Sequence, residues 1–177
     1  MQLISRLIVL MVLIFGFILF LGWKTEVNKI EDPIEGISKL EDSHIPTSVQ
    51  MYYYLMEFSD EFNVPTNIAF GVAHHESGYN GLRHWRYNPK LTSSANAYGA
   101  MQIQVPTANS FTDKKVTRHD LLNNLKLNVY LSMKILSYLK NKYGSWELAL
   151  GAYNTGRPIV NQYALNISKF DTKKLFK

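Results

Sequence analysis

Seventeen consecutive residues without a charge, Leu7 to Trp23, constrain this chain more than any other feature of it. As a helix the run reaches ~25 Å, enough to span a hydrocarbon core with help from its flanks. Arg6 and Lys24 bracket it and can extend their charges to the polar boundary, and Trp23 suits the interface. A cleaved signal peptide is the rival reading, because a basic start precedes the apolar stretch. Yet Leu21, Gly22, Trp23 and Lys24 offer no small-x-small cleavage pattern. We expect an uncleaved transmembrane anchor over residues 1–23, in contact with membrane lipid through residues 7–23. Its orientation is weakly specified, since Arg6 and the terminal amine oppose Lys24 and Lys29.

Composition divides the remainder. Residues 24–46 carry three Lys and six acids, include Pro33, Gly36 and Pro46, and lack sustained periodicity, which reads as an acidic tether. Residues 47–177 carry fifteen Lys or Arg against eight acids and form the expected domain. A basic surface attracts anionic polymers such as the bacterial wall, acidic lipid or nucleic acid, and an ordinary solubilising charge looks the same. The absence of cysteine excludes disulfides, thiolate chemistry and sulfur-ligated metals.

Within the domain the spacing is helical. Thr47 and Gln50 match a capping box, followed by Met51, Leu55, Phe58 and Phe62 on one stripe. Pro65 opens a second helix toward Ser77, and Gly78 stops it. Turn-forming residues from Tyr79 to Gly99 predict a loop. Leu122, Leu125, Val129, Met133, Leu136 and Leu139 predict one long helix ending at Gly144. Ser145 caps another helix through Ala152, and Pro158 fits the first turn of a last one toward Ile167. No strand alternation stands out, so the expected class is mainly α.

Glu76 follows Ile68, Ala69, Val72 and Ala73 at intervals of three and four, on the apolar face of its helix and near the C-terminal end. Desolvation and the negative end of the helix dipole both disfavour the ionised carboxylate and raise its pKa, as a proton donor near neutral pH requires. The plainer alternative is a glutamate whose end reaches water or a basic partner. His74 and His75 are poor metal ligands, because consecutive helical residues point about 100 degrees apart and the His-Glu-x-x-His spacing is missing. No metal or cofactor is expected.

The strings HHESGYN (74–80), AYGAMQI (97–103) and GAYNTG (151–156) occur in that order. Together they resemble the SLT-type lytic transglycosylases and the related goose-type lysozymes, over about Ile68 to Ile167. The resemblance implies a lysozyme-like helical domain with a groove for alternating N-acetylglucosamine and N-acetylmuramic acid, and it puts the family's catalytic glutamate at Glu76. It implies substrate-binding roles for Met101 and Gln102 through Gly-Leu-Met-Gln, for Tyr153 and Asn154 through Ala-Tyr-Asn, and for Ser93 and Thr107. The family's tyrosine lies close to the acid, which makes Tyr153 the candidate to orient Glu76. Ala100 departs from the usual leucine, Pro106 stands one position late, and Arg83, His84, Trp85 and Arg86 are extra. Trp85 offers either a sugar-stacking surface or a pin for its loop.

The implied reaction is cleavage of the glycan strands of peptidoglycan, with the muramic acid's 6-hydroxyl closing a 1,6-anhydro ring. A hydrolytic muramidase using Asp113 or Asp120, and a non-catalytic wall-binding assembly protein, are the alternatives. The implied location is a bacterial cell membrane facing the periplasm or wall, or the membrane of a phage virion. Secretion, conjugation or phage assembly are the settings, and no nucleic-acid partner is expected.

Overall fold

Apolar residues recur so densely between Leu127 and Leu136 that the helix they form must be covered on most sides, and all but one of these ten residues are buried. The computed structural model describes residues 45–176, which all belong to one compact unit, Glu41–Lys177. The expected anchor and nearly all of the expected tether lie outside the described residues. Among those described, no helix is long and apolar enough to cross a membrane.

The elements in order are α1 (Thr47–Glu61), α2 (Thr66–Ser77), β1 (Ala97–Tyr98), β2 (Ile103–Gln104), α3 (Val105–Asn109), α4 (Arg118–Asn123), α5 (Leu125–Tyr143), α6 (Trp146–Thr155) and α7 (Gln162–Ser168), closed by a 3₁₀ turn, Thr172–Phe176. Helices α1 and α6 pack on α5, α7 packs on α6, and α2 joins α7 back to α1. This closed circuit brings the C-terminal end of α2, where Glu76 lies, against α7. The mainly helical expectation holds. Two strands too short to show alternation form an antiparallel hairpin, with Ala97 opposite Gln104 and Tyr98 opposite Ile103.

Several helix ends differ from the sequence reading, each for a local reason. At α1 the expected capping box does not form: Pro46 is the N-cap, and its carbonyl accepts the N–H groups of Val49 and Gln50. Gln50 instead reaches back to the Ile45 carbonyl at 2.7 Å. Pro65 likewise precedes α2 as its N-cap, whereas Gly78 ends it in the left-handed conformation as expected. The long helix expected from Leu122 is interrupted at Asn124, whose extended backbone starts α5 and whose Oδ1 accepts from Leu127 N at 2.9 Å. Leu122 therefore belongs to the separate α4. Ser145 caps α6 as expected, but the helix continues past Ala152 to Thr155. Pro158 does not open α7; Asn161 caps it by accepting from Ala164 N at 2.9 Å.

The segment that Pro158 occupies explains a glycine. It crosses Gly151 of α6 so closely that an added Cβ would lie 1.7 Å from the Ile159 carbonyl oxygen. Alanine would gain about 1 kcal/mol of helix propensity, but overpacking against backbone costs about 1–3 kcal/mol or more. Gly151→Ala is expected to lower the thermal unfolding midpoint, and calorimetry checks it.

Candidate active site

Glu76 sits on the last turn of α2, with Ile68, Ala69, Val72 and Ala73 buried behind it on the same side. Its Oε1 accepts a 2.6 Å hydrogen bond from the hydroxyl of Tyr163 on α7. Burial raises the Glu76 pKa, and the Tyr163 bond offsets part of that rise by stabilising the carboxylate. No bond among the described residues engages Oε2, so that oxygen carries the proton when the group is neutral, and Oε1 keeps its tyrosine in either state.

Opposite Glu76, the hairpin is hung from α5. Asn128, fully buried, accepts the Met101 N–H at 2.8 Å and donates to the carbonyls of Tyr98 (3.0 Å) and Leu121 (3.1 Å). Gly99 makes the approach possible: its φ is +83°, and a Cβ there would lie 2.4 Å from Asn128 Nδ2. One helical turn along α5, Ser132 Oγ lies 2.9 Å from the Tyr153 hydroxyl, which itself donates to the Met101 carbonyl at 2.7 Å. Tyr153 has a single proton, so Ser132 is the donor to it.

Glu76 and the hairpin face one cavity of about 530 Å³. Of the residues expected in the site, Glu76, Ser93, Gln102, Thr107, Tyr153 and Asn154 line it. Gln102 holds a positive φ of 50°, a strained position for a residue with a side chain. Its Nε2 is spent on the carbonyls of Gly99 (2.8 Å) and Leu91 (3.3 Å), which leaves Oε1 as the acceptor for a ligand. Asn154 Oδ1 accepts from Asn161 at 3.1 Å, leaving its amide nitrogen as a donor. Ser93 Oγ accepts from Ala97 N at 3.2 Å and keeps its own proton to give.

Three expectations change. Met101 does not line the cavity: its side chain is fully buried, and its backbone fastens the hairpin to Asn128 and Tyr153. Tyr153 does not orient Glu76, because its hydroxyl is committed to Met101 and Ser132; Tyr163 does so instead. No motif marked Tyr163, although its spacing with Ile167 put it on the buried face of α7, where a tyrosine hydroxyl must find a partner. Trp85, 72% exposed, neither lines the cavity nor pins its loop. That loop is held by Tyr79, which donates to the Ser48 carbonyl at 2.8 Å, and by Tyr87 on Ser77 at 2.7 Å.

Among the described residues, Glu76 is the only carboxylate in the lining. Asp113 is exposed and outside the cavity, and Asp120 is spent on a capping box with Thr117 that holds its pKa down. His74 bonds the Tyr79 carbonyl through Nδ1, while the His75 ring packs against Tyr163, so the two imidazoles serve different neighbours.

The profile of a family described as "Transglycosylase SLT domain" matches residues 53–176. The chain belongs to this family. Its SLT domain is similar in structure to the 70 kDa soluble lytic transglycosylase of Escherichia coli, with a TM-score of 0.51 and 22% identity over 70% of this chain and 20% of that one. The complex of the 70-kDa soluble lytic transglycosylase with bulgecin A gives the same figures. An inactive mutant of the lytic transglycosylase Slt of Pseudomonas aeruginosa matches at a TM-score of 0.49 and 16% identity, over 70% and 22% of the two chains. The match thus spans about a fifth of the length of each solved relative, and at this identity it establishes the lysozyme-like fold. Comparison with curated protein sequences gives no match.

Burying Glu76 costs the SLT domain stability in a defined pH window. Its folded pKa lies above the ordinary 4.5, so between those two values the folded state binds more protons than the unfolded one. Stability therefore falls as pH rises through that window, and the loss is complete above the folded pKa. Glu76→Gln, which keeps the Tyr163 bond but cannot ionise, is expected to unfold at a higher temperature than wild type at neutral pH, with the difference vanishing below about pH 4. Thermal melts across pH check this.

Proposed function

We propose that this protein is a peptidoglycan lytic transglycosylase that cleaves the β-1,4 bond between N-acetylmuramic acid and N-acetylglucosamine with Glu76 as its one catalytic carboxylate. The observation that carries the reading is the single acid that the described residues bring to the cavity, desolvated, with Oε1 held by Tyr163 and Oε2 open. Family membership supports the substrate class.

In this reading Oε2 of Glu76 protonates the glycosidic oxygen as the bond to C1 of the muramic acid breaks. The carboxylate, stabilised by Tyr163, then takes the proton of the sugar's own 6-hydroxyl, whose oxygen bonds to C1. The proton returns to Glu76, and no water is consumed. The substrate's acetamido oxygen shields the cationic carbon between the two steps. Oε1 of Gln102, the amide nitrogen of Asn154 and the hydroxyls of Ser93 and Thr107 supply the mixed donors and acceptors that acetamido and hydroxyl groups need. Tyr153, which keeps its hairpin in place, presents its ring to the same space.

Orientation decides the product. Water at about 55 M competes with an internal hydroxyl whose effective molarity reaches roughly 10⁵ M when well aligned. A hydrolase holds its water with a second carboxylate, and the cavity lining has none to offer among the described residues. An anchor over residues 7–23 and an acidic tether to residue 46 would hold the domain at a bacterial membrane facing the wall, or at a virion membrane, where secretion, conjugation or phage entry needs a local opening.

Two expected outcomes test the chemistry. Folded Glu76→Gln loses wall-clearing activity by orders of magnitude, and wild-type products end in 1,6-anhydro-N-acetylmuramic acid, lighter by one water and unlabelled after digestion in ¹⁸O water. Labelled reducing ends that vanish with Asp113→Asn or Asp120→Asn would establish a hydrolase instead. Tyr163→Phe keeps the ring but frees Oε1; kcat is expected to fall by about tenfold or more with KM little changed, since the lost bond acts on the acid and not on the sugar.

A further inference from the structure

Trp85 stands outside the cavity with 72% of its surface exposed, on a loop that is otherwise firmly fixed. Short backbone turns close that loop: His84 N donates to the Gly81 carbonyl at 3.2 Å, and Tyr87 N to the His84 carbonyl at 2.9 Å. Tyr87 is buried, and the His84 ring packs on it with centroids 5.4 Å apart. The loop is also tied to the first turn of α1, where Ser48 Oγ donates to the Leu82 carbonyl at 3.1 Å. Arg83 and Arg86 flank the indole, and both are exposed. From Ser77 to Thr112 the chain carries these two arginines, Lys90 and no acid.

An indole held out between two guanidinium groups combines an apolar body, a ring N–H and positive charge. That set matches the boundary of an anionic bilayer, where tryptophan settles at headgroup level and basic side chains meet lipid phosphate. One indole with two or three cations binds such a surface weakly by itself, because stable attachment takes a second signal. The loop is fastened at the end of the domain where the preceding chain enters, three residues after Ile45, and that chain holds the apolar run 7–23. Attachment to a membrane anchor makes a weak contact intramolecular, so that effective concentration supplies what affinity lacks. We propose that the loop 81–87 is a second membrane contact, with Trp85 at the headgroup boundary of an anionic bilayer and Arg83 and Arg86 on lipid phosphates. The proposal rests on the reading of residues 7–23 as a membrane anchor. Because Tyr87 bonds Ser77, the neighbour of Glu76, the contact orients the catalytic end of α2 on the bilayer.

Tryptophan fluorescence tests the contact and the anchor separately. Full-length wild type, Trp85→Phe and Trp23→Phe are reconstituted in vesicles with brominated, quenching acyl chains, made either of phosphatidylcholine alone or of equal parts phosphatidylcholine and phosphatidylglycerol. The difference between wild type and Trp85→Phe reports Trp85; that between wild type and Trp23→Phe reports the anchor. Trp85 emission is expected to be quenched in the anionic vesicles and to lose most of that quenching in phosphatidylcholine alone. Arg86→Gln, at an exposed position, is expected to lower the ratio of docked to undocked loop about fivefold through the loss of one cation at an anionic surface. Trp85 emission unaffected by brominated lipid, while Trp23 is quenched, overturns the docking contact and leaves the anchor standing. Quenching of Trp85 without that of Trp23 sinks the anchor and supports the loop contact. Equal quenching of Trp85 in both vesicle types overturns the anionic headgroup as its partner. Shielding of Trp85 from acrylamide by glycan fragments, with no response to vesicles, overturns the proposal in favour of a sugar-stacking surface.

Discussion

The buried amide of Asn128 is the interaction on which the site depends. It sits fully buried on α5, and its oxygen and nitrogen satisfy backbone groups of Tyr98, Met101 and Leu121. Each such group left unpaired would cost about 1–3 kcal/mol. Because the turn is fixed at both Tyr98 and Met101, the backbone of Gln102 is held in its strained conformation, and the Met101 carbonyl stands where Tyr153 can reach it. A two-strand hairpin is marginal by itself; here α5 supplies what pairing cannot.

Glu76 shows the opposite use of burial. The apolar residues of α2 that drive the helix into the core also remove water from its carboxyl, which destabilises the charge. Tyr163 compensates in part, by a bond available to both protonation states. Desolvation outweighs that bond, which keeps the group protonated to higher pH than a surface glutamate. The fold therefore gives up some stability at neutral pH to hold this carboxyl away from water.

The loop after Tyr79 is held by contacts of its own. Tyr79 and Tyr87 bury their rings against each other and send their hydroxyls to Ser48 and Ser77, so the loop is fastened to α1 and α2. At Gly81 the closing 3₁₀ turn comes so near that a Cβ would lie 2.1 Å from the Leu175 carbonyl oxygen. These are contacts between segments far apart in sequence, fixed by close packing rather than by any local preference.

Helical class, the placement of Glu76 on an apolar face, the stop at Gly78 and six of the residues that line the cavity were legible in the sequence, because they depend on spacing within one helix or on contiguous strings such as AYGAMQI and GAYNTG. Helix starts were less legible: Pro46, Asn124 and Asn161 prevailed over Thr47, Leu122 and Pro158 through hydrogen bonds that several neighbouring residues could equally have made. The role of Tyr163 was not legible at all. Its hydroxyl meets Glu76 across 87 positions of chain, and only the closure of α7 onto α2 selects it over Tyr153. Sequence determined which residue types stand on which helix face, since residue type and periodicity are local; tertiary structure decided which of them touch, since contact is set by the packing of helices that the chain order leaves distant.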